Sequence, residues 1–365
     1  MIIDSHLHFS LPSLVEDVLE ALDLTNCQYG NLVAQINMYQ SSETLDCLFA
    51  KAKSNHRLYT YGSLDPTEYI KRTNMGENLI EHVKNIMKCG CDGIKMLEGK
   101  PDERKRFPIP DFDCEEFDKL FSYLEKEKIN IIWHVNDPEE FWDETKVPEW
   151  AKRGGWFYNE SYVNNLDQYR QVENVLKKHP NLHITFAHFF FLSKNLEKLS
   201  KLFDSYPKIS VDITPGIELF TNLSQNIKEA RTFFIKYADR IIYGTDISHL
   251  NTDTDREFNK EDAIIRGNLC YSFLTKEKVN LKGNEKSLLG KEDLEINGLN
   301  LPSEIVKKIC YSNFYNKNGQ PKEINKEEIL QEIERERQRI TFLSKYYKFK
   351  PDYTKLDCLK TYFEQ

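Results

Sequence analysis

The sequence predicts a (β/α)8 TIM barrel with long insertions after its strands and an appended C-terminal helix. Two observations carry this expectation. Eight short, nearly continuous apolar runs recur along the chain, as strands buried on both faces of a parallel sheet require, and stripes of helical period fill the gaps between them. Eight such repeats in one chain point to a closed barrel more than to an open sheet. The length of 365 residues suits one large barrel with insertions, or two ordinary domains.

The apolar runs lie at 2–6, 32–36, 58–61, 92–96, 129–134, 183–188, 209–213 and 240–244. Leu79, Ile80, Val83, Ile86 and Met87 form one helical stripe, with Gly90 as its stop. Phe117, Leu120, Phe121 and Leu124 form a second, with Asp113 as its expected cap. Leu166, Tyr169, Val172 and Leu176 form a third. Three segments, 97–111, 135–162 and 247 to about 301, exceed ordinary connections. Each follows the C-terminal end of a strand, where barrel enzymes build their active sites. The barrel is expected to occupy 1–320. In 321–365 the chain turns strongly charged, and Ile329, Ile333, Ile340 and Leu343 read as a helix packing on the barrel or on a partner subunit.

Hydrophobic residues make up 40% and charged residues 30%, the balance of a soluble globular protein. A net charge of -8 gives no global field toward nucleic acid or anionic membranes. No apolar run has the length of a membrane span, and the N-terminus lacks the layout of a signal peptide. Eight scattered cysteines without zinc-ribbon or Cys-x-x-Cys spacing read as free thiols of a reducing cytosol. The expectation is a cytoplasmic protein that acts on a small molecule, without nucleic-acid or membrane partners. Homo-oligomerisation stays open.

The chemistry gathers at the predicted strand ends. His6-Leu7-His8 closes the first run, where residues i and i+2 share a side. His134 ends the fifth run, His188 the sixth, and Asp246 the eighth strand. Imidazoles with one carboxylate suit zinc or a similar divalent ion. His56, His82, His179 and His183 read as structural, and His249 as an ordinary loop residue. Trp133, Trp142, Trp150 and Trp156 fall close together, beside Asn136, Asp137, Arg153 and Tyr158. They read either as a lid or substrate wall, with Trp142 and Arg153 as substrate contacts, or as packing that anchors a long loop. Lys100, Arg104, Lys105 and Arg106 offer a receptor for a carboxylate or phosphate, although a solvated surface is the plainer reading.

Five motifs, Asp4-Ser5-His6-Leu7-His8, Gly93-Ile94-Lys95, Ile132-Trp133-His134, Phe186-Ala187-His188 and Tyr243-Gly244-Thr245-Asp246, stand in order at barrel spacing. On these the chain resembles the amidohydrolase superfamily, and within it the amidohydrolase-related (amidohydrolase 2) branch of metal-dependent hydrolases. The likeness runs from residue 2 to roughly 315 and includes Leu301-Pro302-Ser303-Glu304 and Ser312-Asn313. The resemblance implies one divalent metal on His6, His8, His134 and Asp246, zinc foremost, with manganese or iron as alternatives. Asp246 would take the proton of a metal-activated water. His188 would polarise the substrate carbonyl or orient the water, or bind a second ion in a two-metal version. Lys95 has two readings: a carboxylated lysine bridging two metals, or a lysine facing substrate. A single metal is favoured.

The reaction implied is hydrolysis of an ester, lactone or amide in a small polar molecule. The alternative within the same branch is metal-dependent non-oxidative decarboxylation of an unsaturated or aromatic acid, with Arg104, Arg106 or Arg153 on the leaving carboxylate. A His-x-His phosphoesterase would usually end in Asp-x-His, whereas Ile247-Ser248 follows Asp246. A TatD-like nuclease would usually carry glutamate where Lys95 stands. A barrel that kept its fold but lost its reaction is disfavoured by the intact ligand set.

Overall fold

The computed structural model describes residues 1–11, 13–248, 259–285 and 287–365. Eight parallel strands form the expected barrel in sequence order: β1 (Ile3–Leu7), β2 (Tyr29–Val33), β3 (Leu58–Ser63), β4 (Gly93–Gly99), β5 (Ile131–Val135), β6 (Ile184–Phe186), β7 (Ser210–Asp212) and β8 (Ile241–Ile242). The ring closes between β1 and the chain following β8. Ser5 N donates to Tyr243 O (3.1 Å), Asp246 N to His6 O (2.9 Å) and His8 N to Ile247 O (2.9 Å). These three bonds bring the first and last motifs of the sequence edge to edge.

Side-chain alternation separates two apolar layers. Ile3, Val33, Tyr59, Tyr61, Ile132 and Ile242 pack together inside the barrel. Leu32, Leu58, Ile94, Met96, Ile131, Trp133, Phe186 and Ile241 belong to the larger core between strands and helices. On β5, Ile132 thus lies in the inner layer while Trp133 packs outward, edge-on to Phe112 and tilted against Phe121. His134, two residues beyond Ile132, shares its inward side.

The outer ring includes α1 (Val15–Leu24), α2 (Thr44–Lys53), α3 (Met75–Cys89), α4 (Glu115–Lys126), α5 (Asn165–Lys178), α6 (Leu196–Ser205), α7 (Ile227–Lys236) and α8 (Lys260–Thr275). Leu79, Val83 and Ile86 of α3 are fully buried, and Gly90 stops the helix in the left-handed region at φ 109°. Asp113 is not the cap of α4: Cys114 holds that position, and Asp113 accepts from Asn174 Nδ2 instead. The long segments carry structure of their own. The 97–111 connection holds a helix at Pro101–Arg106, and 135–162 holds a 3-10 turn at Glu139–Trp142 and a helix at Glu149–Arg153. After β8, α8 is followed by an antiparallel hairpin, Lys278–Leu281 with Leu294–Asn297. His249 lies outside the described residues.

The C-terminal extension contains two helices, α9 (Lys326–Tyr347) and α10 (Thr354–Phe363), rather than one. Arg339 of α9 is buried among Asp65 (2.8 Å), Glu332 (2.6 Å) and Glu336 (3.1 Å), and its Nη2 lies 3.0 Å from His82 Nδ1. His82 in turn donates from Nε2 to Ser63 O at the end of β3 (2.9 Å). Lys355 of α10 reaches Asp46 (2.8 Å) and Gln40 (2.5 Å) in the region after β2. Tyr347 OH donates to Arg106 O after β4 (2.8 Å). The extension therefore packs against the connections that follow β2, β3 and β4. At the opposite end, Tyr59, Tyr61 and Asn130 bond the segment Lys317 to Gly319 and cap the barrel floor. No helix among the described residues is long and apolar enough to cross a membrane.

Candidate active site

His6, His188 and Asp246 each offer a ligand atom within 4.8 Å of the other two, a group able to hold a metal ion. His8 Nε2 meets the same carboxylate at Asp246 Oδ1 (3.0 Å), and His6 Nε2 lies 3.7 Å from it. Lys95 Nζ is 3.1 Å from His6 Nε2. Four of the five strand-end residues read from the sequence therefore converge at the mouth, with Lys95 beneath them. The fifth, His134, packs its ring 4.9 Å from that of His188, but its Nε2 pairs with Asp137 Oδ1 (3.2 Å) and it stands outside the group of three.

The outer hydrogen bonds decide which nitrogens are free. His6 Nδ1 donates to Asp212 Oδ2 (3.0 Å), leaving the Nε2 lone pair toward the centre. The Thr214 hydroxyl donates to Asp212 Oδ1 (2.5 Å), so its oxygen accepts from His188 Nδ1 (3.1 Å), and His188 also presents Nε2. His8 Nδ1 lies 3.1 Å from both the Val33 carbonyl oxygen, an acceptor, and Gln35 Nε2, a donor. His8 Nε2 approaches the Asp246 carboxylate at hydrogen-bond distance, so the ring can donate there or turn its Nε2 lone pair to a cation shared with Asp246. The donor set fits a divalent ion: His6, His188 and the Asp246 carboxylate stand together, with the two imidazoles oriented by Asp212 and Thr214.

The electrostatics agree. Burial, helped by the charge of Lys95, holds His6 well below the usual imidazole range, and burial lowers His188 to about 4. Both imidazoles are thus held in the neutral form that metal binding requires. Burial opposes ionisation of Asp246, but the His8 hydrogen bond and the neighbouring imidazoles outweigh it and keep the group anionic. Burial brings Lys95 down to about 8, against the pull of Asp212, Asp246 and Glu98.

The backbone at this rim is unusual. His188, Phe189, Phe190 and Phe191 all take positive φ, between 51° and 57°, and β6 ends at Phe186, two residues before His188. Four non-glycine residues in the left-handed region cost roughly 1–2 kcal/mol each. Packing holds them there: Phe190 stacks on Phe186 at 4.0 Å, Phe189 on Phe234 at 5.7 Å, and Tyr169 OH donates to Phe190 O. Asp246 is also at positive φ (57°). Such strain concentrates at functional sites.

The sequence did not single out Asp212 or Asp4. Asp212 sets both His6 and His188. Asp4 accepts from His6 N (3.2 Å) and from the Thr245 hydroxyl (2.5 Å), tying the two motif ends together. A carboxylate inside an otherwise apolar run is the signal that marks each of them. The tryptophans divide. Trp133 is core, and Trp142 donates to Val163 O (3.1 Å) and packs on Tyr158 in a small cluster internal to its own loop. Arg153 is exposed at the end of the Glu149–Arg153 helix. Arg104 is not a free anion receptor: it is buried and bonded to Gln168, Gln171, Pro110 O and Asp111. Lys100 pairs with Asp137 (2.9 Å), and Arg106 with Glu103 (2.6 Å).

No family model and no curated protein matches the sequence. Among solved structures, the chain is similar to a protein described as a probable 2-pyrone-4,6-dicarboxylic acid hydrolase from Acinetobacter baumannii, solved with citric acid bound (TM-score 0.50, 15% identity, 87% of this chain and 99% of that one). An uncharacterised TIM-barrel protein from Bordetella bronchiseptica gives a TM-score of 0.56 at 12% identity, over 87% of this chain and 99% of that one. The 5-carboxyvanillate decarboxylase of Sphingomonas paucimobilis gives 0.53 at 8% identity, over the same shares. At these identities the likeness establishes the fold. The neighbours' names include both hydrolases and decarboxylases, as well as one amidohydrolase II.

Proposed function

We propose that the chain is a metal-dependent hydrolase of the amidohydrolase type that cleaves an ester, lactone or amide bond in a small polar molecule. The observation that carries this reading is the group His6, His188 and Asp246 at the barrel mouth, with His8 on the same carboxylate. A divalent ion bound there, zinc foremost, supplies Lewis-acid activation of water and of a carbonyl. Asp246 is anionic and accepts a proton at its carboxylate, then returns it to the leaving group. Asp212 keeps His6 and His188 in the tautomer that faces the centre. Lys95 Nζ donates toward the centre from below, in reach of a developing oxyanion.

The test is elemental analysis of purified protein, with His6→Ala and His134→Ala beside wild type, followed by assays on lactones, esters and amides. About one metal per chain, lost in His6→Ala, supports the reading. Loss in His134→Ala as well adds His134 to the ligand set in place of its bond to Asp137. Carbon dioxide release from a carboxylic acid, without ester or amide cleavage, would transfer the site to the decarboxylase alternative. Absence of metal after reconstitution would end the proposal.

A further inference from the structure

A cavity of about 120 Å³ opens beside His188, walled by Tyr169, Phe191, Asn165, Asn222 and Glu218. Its volume approaches the ~150 Å³ that admits a benzene-sized molecule. Its charges are unevenly committed. Lys194, on its wall, is paired with Glu140 and Glu139, and Lys198 with Glu173 while lying 4.3 Å over the Tyr169 ring. Glu218, at the start of the helix Ile217–Gln225, has no side-chain partner among the described residues and turns back on its own backbone N–H. Asn165 Nδ2 is buried without a hydrogen-bond partner. Among the described residues, no arginine lines this space. The cavity therefore offers one spare carboxylate and one spare amide donor, but no spare cation.

Resting on the hydrolytic reading of the mouth, we propose that this cavity binds a hydrogen-bond-donating group of the substrate, an amine or a hydroxyl, on Glu218 and Asn165, and discriminates against a carboxylate there. A hydroxyl can donate to Glu218 and can accept from Asn165, so either residue takes it. An ammonium satisfies Glu218 with a charge-assisted bond. A carboxylate beside ionised Glu218 meets like charge in a desolvated site, and is accepted only while Glu218 holds a proton. Burial already lifts the Glu218 carboxyl to about 7, and an ammonium beside it restores ionisation. The substrate thus differs in charge from the dicarboxylic and aromatic acids in the names of several structural neighbours.

The experiment is calorimetric titration at about pH 8, where Glu218 is ionised, of full-length, metal-loaded protein with three probes that share an amide and differ at the far end: γ-aminobutyramide, γ-hydroxybutyramide and succinamate. The expected result is binding of the amine and hydroxyl probes at least about tenfold tighter than succinamate. Glu218→Gln should remove most of the amine's advantage, and Asn165→Ala most of the hydroxyl's. Succinamate binding as tightly as the others, an unchanged preference in both variants, or no binding by any probe would each overturn the inference. A retained preference without turnover of any matched ester would instead count against the hydrolytic reading and leave the cavity assignment standing.

Discussion

His6 of β1 and Asp212 of β7 meet over the intervening β8, with Nδ1 of the imidazole 3.0 Å from the carboxylate Oδ2 although 206 positions separate them in the chain. The other oxygen of Asp212 accepts the His188 backbone N–H (2.8 Å) and the Thr214 hydroxyl, so one carboxylate orders two imidazoles. Asp212→Ala is expected to weaken metal binding about 10–100-fold. Competition against a chromophoric chelator reads this directly, and an unchanged affinity would refute the orienting role.

Gly90 is predicted to be intolerant of any side chain. Its φ of 109° disfavours L-residues, and a Cβ would lie 2.5 Å from Glu323 O. Gly90→Ala should cost more than ~1 kcal/mol in urea unfolding. A neutral result would mean that the approach of 323–324 to the end of α3 is looser than the structure shows.

Arg339 is predicted to be the costliest single charge to remove from the extension. Arg339→Met leaves Asp65, Glu332 and Glu336 buried without their shared cation, for a loss of about 3–5 kcal/mol. Lys355→Met, which removes a more exposed cation from a single carboxylate, Asp46, should cost less. Thermal melting of the two variants orders them, and the reverse order would contradict the burial argument.

Glu98 sets a pH dependence. It is fully buried, receives one bond from Tyr69 OH (2.8 Å), and its Oε2 has no partner. Burial raises its carboxyl from 4.5 to about 7. Between those values the folded state keeps a proton that the unfolded state releases, so stability is lost as pH rises through that interval and the loss is complete above about 7. Glu98→Gln removes the slope. Relative to the variant, wild type should lose about 2–3 kcal/mol from pH 4.5 to pH 8, measured by denaturant unfolding of metal-free protein. Parallel pH profiles would show that Glu98 is ionised throughout.

The strands were legible because β-branched runs bounded by polar residues have few other uses, and seven of the eight fall on or within a few residues of the observed positions. The second was read three residues late. Tyr29-Gly30-Asn31 lacks β-branched residues, and Gly30 is there because a Cβ would meet Leu7 Cδ1 at 2.5 Å, which only the folded neighbour reveals. The turn at His188 was hidden for the opposite reason. Nothing in Ala187-His188-Phe189-Phe190 announces positive φ, since packing rather than local preference sustains it. The mouth residues could be listed from strand ends, but the pairing of His134 with Asp137 depends on a loop whose path no periodicity encodes. The second helix of the extension, behind Pro351, has too short a stripe in Leu356, Leu359 and Phe363 to stand out.

The placement of α9 and α10 bears on the order in which the protein becomes competent. The ribosome delivers these helices after every barrel strand, yet Arg339 and Lys355 anchor the connections after β3 and β2, and Gln35, close to His8, lies in the latter. A nascent chain can close its ring of strands before those anchors exist. The rim around His8 then gains its last anchors only when residues 326–363 have been made and have docked, so the shape of the site depends on a segment that formation of the barrel itself does not require.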